Sequence, residues 1–211
     1  MITLWRKNDI VTFLVDLGNY HPVYCSYLNS EEKEQLLHLL SEISKKRFVL
    51  SRVFLKQILS GIFSLENITD IVLLRNERGR VLVRDYPNIW ISLSYSGTEI
   101  TISLGKEKVG SDIEVIRPLF SKKIADCPLF KDFPFGTETE FRHNLLQAWT
   151  MVESYAKFAD KNPYQLLNTS SFFFSEVKFV SYCVDKRSIF TTATYKDQGK
   201  EDLVWPDFPV P

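Results

Sequence analysis

The chain has 211 residues, 45% apolar and 25% charged, the make-up of a globular protein forming one large domain or two small lobes. Lys+Arg and Asp+Glu balance at 26 each, so no overall field draws the chain to nucleic acid. Cys25, Cys127 and Cys183 are as scattered as His21, His38 and His143, which argues against a Cys or His metal site. With no apolar run of membrane-spanning length, the expectation is a cytoplasmic protein without a membrane partner.

The first predicted element is a buried strand over residues 9–17. After a loop, Ser30 reads as an N-cap ahead of an acidic first turn. Leu36, Leu37, Leu39, Leu40 and Ile43 then supply an apolar helical face. A second helix over 45–63 has Phe48, Phe54, Leu55, Ile58 and Leu59 as core. Strands over 70–74 and 80–84 flank a turn that Gly79 suits. Residues 90–93 and 99–104 read as a hairpin around Ser94-Tyr95-Ser96-Gly97. Val109, Ile113, Val115 and Ile116 give the next stretch strand character, and Pro118 ends it. Residues 121–135 read as irregular or short helix, limited by Pro128 and Pro134. A long helix over 137–160 stops near Asn162-Pro163. A hairpin over 171–185 and 188–196 follows, with Phe172, Phe173 and Phe174 as core, and the tail over 204–211 reads as an irregular strap. The order strand–helices–strands occurs twice, which predicts an α+β chain of two similar α/β halves.

Two stretches carry chemistry. Asp112 and Glu114 stand two apart on a strand and so share a face. Paired carboxylates repel unless a positive charge lies between them, and a hard divalent cation supplies one; an acidic exposed face is the plain alternative. Trp149, Glu153 and Lys157 stand four apart, along one side of the long helix. Glu153 and Lys157 at that spacing also form an ordinary helix-stabilising ion pair.

Together these stretches resemble the 4′-phosphopantetheinyl transferases, of the longer single-chain, pseudo-dimeric (surfactin-synthetase-activating) type. The family's Gly-x-Asp-x-Glu strand stands here as Gly110-Ser111-Asp112-Ile113-Glu114. Its Trp-x-x-Lys-Glu-x-x-x-Lys helix stands as Trp149 to Lys157. The resemblance runs over about residues 45–161. It implies a pseudo-dimer of an N-terminal half, 1–107, and a C-terminal half, 108–211, acting as a monomer. It also implies transfer of the phosphopantetheine arm of coenzyme A to a serine of an acyl- or peptidyl-carrier protein. Mg²⁺ is then held by Asp112, Glu114 and Glu153. Glu153 is the general base, and Lys157 stabilises developing negative charge. The resemblance assigns coenzyme contacts to Arg47 and Arg52 in the basic run Lys45, Lys46, Arg47, Arg52 and Lys56, to Arg80 after Gly79, and to Ser94 and Tyr95.

Two positions depart from the family. Tyr95 stands for the histidine of Ser-His-Ser-Gly and brings no positive charge near neutral pH. Val152 stands for the first lysine of the helix motif. A non-catalytic relative that binds coenzyme A or a carrier protein is therefore the alternative. In the nucleotide-binding reading, each single Lys or Arg is weighed against a solvated surface charge. Trp149 and Tyr155 are expected in the core, and either Glu138 or Glu140 matches a further family glutamate.

Overall fold

The computed structural model describes residues 2–7, 10–116, 122–131, 135–169, 176–184 and 187–195. They form a mixed α+β structure of two compact units that divide between Lys106 and Glu107. The predicted tail, the Phe172–Phe174 run and the strand-ending Pro118 lie outside the described residues. No described helix is long and apolar enough to cross a membrane.

The first unit is built on a four-stranded antiparallel sheet. Strand β1 (Ile2–Lys7), which the sequence pattern did not suggest, pairs with β2 (Ile10–Asp16). The ribbon β3 (Leu73–Arg75) and β4 (Val81–Val83) follows, then the hairpin β5 (Trp90–Ser96) and β6 (Glu99–Gly105). The sheet order is β1-β2-β6-β5. One face presents Val11, Phe13, Val15, Ile91, Ile100, Ile102 and Leu104 to the core. The helix α2 (Glu42–Phe63) supplies Leu50, Phe54, Leu55, Ile58 and Leu59 to the same core. Another side of α2 packs Val49 and Val53 with Leu28, Tyr24 and Leu36. Apolar neighbours on both sides explain why α2 is buried nearly all round between Val49 and Leu59.

Helix α1 (Ser30–Leu37) corrects two readings. Its N-cap is Asn29, not Ser30: Asn29 Oδ1 accepts from the Glu32 N–H at 2.8 Å, and Glu32 Oε2 accepts from the Asn29 N–H at 3.0 Å, a reciprocal cap. The helix then stops at Leu37, so the expected apolar face does not form. Leu36 packs inward, while Leu37, Leu40 and Ile43 are exposed. Helix α2 also starts three residues earlier than expected, because Ser41 Oγ accepts from the Ser44 N–H at 3.1 Å.

The second unit holds β7 (Val109–Val115), α3 (Lys122–Ala125), α4 (Glu138–Ala159), α5 (Pro163–Leu166), β8 (Val177–Val184) and β9 (Ser188–Tyr195). Its antiparallel sheet has the order β7-β9-β8. Helix α4 begins where the Glu140 carboxylate accepts from the Thr137 N–H at 3.0 Å and the Thr137 hydroxyl at 2.8 Å. Those two bonds hold the Glu140 carboxyl below its ordinary range. One side of α4 lies on the sheet through Ser154 and Phe158. Another buries Ala148, Trp149, Val152 and Ala156 with Leu129, Phe130, Leu166 and Leu167. Each unit thus contains, in order, a strand (β2 or β7), a 22-residue helix and an antiparallel hairpin whose second arm (β6 or β9) pairs with that strand.

Candidate active site

The strongest concentration of functional groups in the second unit lies where α4 crosses β7. The approach is closest at Gly110. A Cβ built there would stand 1.9 Å from Ser154 O and 2.5 Å from Phe158 N, both helix backbone. Only glycine lets the helix settle this near the strand. Asp112 and Glu114, two and four residues on, share Gly110's side of β7 and so lie on the helix side of the sheet.

The helix register is fixed beside this contact. Thr150 Oγ1 donates to Gln147 O at 2.9 Å and lies 2.7 Å from Thr191 Oγ1, which lies 2.8 Å from Ser181 Oγ. With the Thr150 proton committed to a carbonyl, the others run in one direction, from Ser181 to Thr191 to Thr150. Thr191 is the cross-strand partner of Asp112. Thr150, Glu153 and Lys157 lie on one helical stripe, so the hydroxyl chain sets the height at which both charged residues meet the strand. Sequence reasoning missed Thr150, Thr191 and Ser181. Threonines and serines in a strand are common, and only the pairing of β8 with β9 and the packing of α4 on that sheet bring these hydroxyls together.

Lys157 Nζ donates to Asp112 Oδ1 at 2.7 Å and to the Ser111 carbonyl at 3.0 Å. It stands 3.9 Å from Glu153 Oε2. Asp112 is almost fully buried, while the side chains of Lys157 and Glu153 keep about a quarter of their surface, 28% and 26%. Burial pushes the Glu153 carboxyl up to about 7, the charges of Asp112 and Glu114 push the same way, and Lys157 opposes them. Glu153 is thereby poised to exchange a proton near neutral pH.

The donor set suits a hard divalent cation, since Asp112, Glu114 and Glu153 offer only oxygen and their charges act on one another. Among the described residues, however, no three His, Cys, Asp or Glu side chains are drawn together as a metal centre. The positive charge on Asp112 is the Lys157 ammonium.

Val152 lies fully buried in the cluster around Leu129, Phe130 and Leu166, so this departure is a core residue. Trp149 is core as expected, and Tyr155 packs against the same cluster. Glu140 caps α4; Glu138 is described only as backbone.

The basic run of the first unit is mostly engaged. Lys45 pairs with Glu42 at 3.0 Å, Lys46 stands 5.5 Å from the Tyr20 ring centroid, and Arg47 donates to the Gly97 carbonyl. Lys56 leaves the expected coenzyme pocket altogether. It is fully buried, donating to Glu32 Oε2 at 2.6 Å and to Tyr27 O at 3.3 Å. Arg52 differs from these. It is 1% exposed, its guanidinium carbon lies 5.1 Å from the Phe48 ring centroid, and its Nε and Nη1 meet no acceptor among the described residues. Burial, with the charge of Arg75, lowers its pKa. A guanidinium buried in this way is a strong attractor for an oxyanion. Arg80 stacks on Trp90 with its guanidinium carbon 3.5 Å from the ring centroid. Ser94 and Tyr95 lie within β5 rather than in the hairpin turn, Ser94 buried and Tyr95 packed against the core.

A scan against protein-family models finds no match for this chain, and a search of curated proteins finds none either.

Proposed function

We propose that this chain is a Mg²⁺-dependent 4′-phosphopantetheinyl transferase, its two α+β units forming the pseudo-dimer that the resemblance implies. The observation that carries the reading is the convergence of Glu153 and Lys157 from α4 on Asp112 of β7, because these are the residues of the two motifs. The repeated strand–helix–hairpin order of the units supports the architecture.

In this reading the carrier-protein serine attacks the coenzyme A phosphorus that bears the pantetheine arm. Its oxygen forms the new P–O bond, and the bond to the departing adenosine 3′,5′-bisphosphate breaks. Glu153 takes the serine proton as general base. Lys157 moves from Asp112 to the phosphate oxygens, where a charge-assisted hydrogen bond stabilises negative charge. Mg²⁺ held by Asp112, Glu114 and Glu153 would neutralise the diphosphate. In the first unit Arg52 receives a nucleotide phosphate, Arg80 and its Trp90 platform lie against the nucleotide, and Ser94 adds a hydroxyl. Tyr95 and Arg47 contribute less, one packed against the core and the other held by Gly97.

The test is mass spectrometry of apo-carrier proteins incubated with the chain, coenzyme A and Mg²⁺. Carriers gaining the phosphopantetheine mass, with the gain lost in Asp112→Asn, are the expected result. A panel of carriers left unmodified would refute the transferase reading. The burial of Val152 and the packing of Tyr95 against the core, which leave two family cations unreplaced at those positions, favour a second reading: coenzyme A binding without turnover. Calorimetric coenzyme A binding beside unmodified carriers would support it.

A further inference from the structure

The Lys157 ammonium is held as a small cation would be, by Asp112 Oδ1 at 2.7 Å and Ser111 O at 3.0 Å, with Glu153 Oε2 at 3.9 Å. We infer that Lys157 and a divalent cation compete for Asp112, so that the site takes the cation as its diphosphate complex rather than as a bare ion. The inference rests on the transferase reading for the identity of the cation and deepens it by naming the form in which the cation arrives.

The argument is one of charge and donors. An ammonium has three protons to donate and no acceptor capacity. Here its two closest acceptors belong to β7, a backbone carbonyl and a buried carboxylate. A bare divalent ion approaching Asp112 meets this positive charge at hydrogen-bonding distance from the same oxygen, and like charges so placed oppose each other. Releasing Lys157 to solvent breaks both bonds to β7. A diphosphate changes the balance, because its oxygens offer the displaced ammonium a charged acceptor while they complete the coordination of the metal. The lysine stem is flexible, and its side chain keeps 28% of its surface exposed, so it has room to make that transfer. Cation and diphosphate should therefore bind with positive coupling, and by linkage each raises the affinity of the other by the same factor. Lys157 carries that coupling.

Calorimetry on the full chain without coenzyme or carrier tests this, using Mg²⁺ alone and Mg²⁺ with inorganic pyrophosphate. Wild type should bind bare Mg²⁺ weakly and bind it at least about tenfold more tightly with pyrophosphate present. Lys157→Met should bind bare Mg²⁺ at least about tenfold more tightly than wild type and lose most of the pyrophosphate effect. Lys157→Arg keeps the charge, so its bare-ion affinity should stay low, which separates charge removal from loosened packing. If wild type binds Mg²⁺ and Lys157→Met binds the bare ion no more tightly, the competition is refuted while the transferase reading stands. If neither wild type nor a variant binds Mg²⁺ with or without pyrophosphate, the metal part of that reading fails as well.

Discussion

Glu153→Gln tests the electrostatics of the site without needing a substrate. The Glu153 carboxyl is raised from its ordinary 4.5 to about 7. Between those values the folded protein holds a proton that the unfolded chain releases. The stability this group contributes is therefore full below pH 4.5, falls as pH rises towards 7, and is gone above it. At about 1.4 kcal/mol per tenfold change in the proton equilibrium, the gap amounts to ~3 kcal/mol. That is an upper value, because 26% of the side chain still faces solvent. Glutamine has nearly the same shape and never ionises, so it does not lose this stability as pH rises. In EDTA, the stability of the variant relative to wild type should rise by roughly 2–3 kcal/mol between pH 5 and pH 8. Amide hydrogen exchange of α4, read by mass spectrometry on both proteins at each pH, measures the difference within the second unit. Comparing them at one pH cancels intrinsic exchange rates and every other titrating group. A difference that is the same at both pH values would refute the reasoning and return Glu153 to the ordinary carboxyl range. Saturating Mg²⁺ should remove the effect in wild type, since a bound cation favours the ionised form.

Gly110→Ala should destabilise the second unit by about 1–3 kcal/mol or more, because its Cβ meets helix backbone that cannot rotate aside; a melt within one degree of wild type would sink this. Val152→Lys should not restore a missing cation. It puts an ammonium into a closed apolar cluster at a cost of about 3–5 kcal/mol, so a variant that melts like wild type and turns over faster would overturn this. Lys56→Met should cost a similar ~3–5 kcal/mol by leaving Glu32 buried and uncompensated. Adding Glu32→Gln should recover much of that loss in urea denaturation, and no recovery in the double variant would show that Lys56 acts through packing instead.

The sequence by itself determined the α+β alternation and put Asp112 with Glu114 on one strand face and Glu153 with Lys157 on one helix side, because periodicity and spacing are local properties of the chain; it was the resemblance to the transferases that joined the four as one candidate set. The sequence could also place Trp149 in the core, because a large aromatic side chain is more often core than a stacking platform. Gly110 was legible only as a motif letter, since nothing in the chain announces that a helix 44 residues later must pass within a Cβ of it. The leucines after Leu36 show the converse. Their spacing fits a helix, but the chain turns at His38 to Ser41 and leaves Leu37 and Leu40 in solvent. Lys56 and Arg52 lie one turn apart on the same helix with the same charge; the resemblance singles out Arg52, but nothing local to the chain says what either charge will meet. Tertiary structure does so by placing Glu32 of α1 against one and no acceptor among the described residues against two nitrogens of the other. Val152 was decided in the same way. A valine in a motif position reads as a lost lysine until α3, α5 and the segment between α3 and α4 close over it. Partners far apart in the chain are set by packing, and it is packing that assigned these charges and this valine their surroundings.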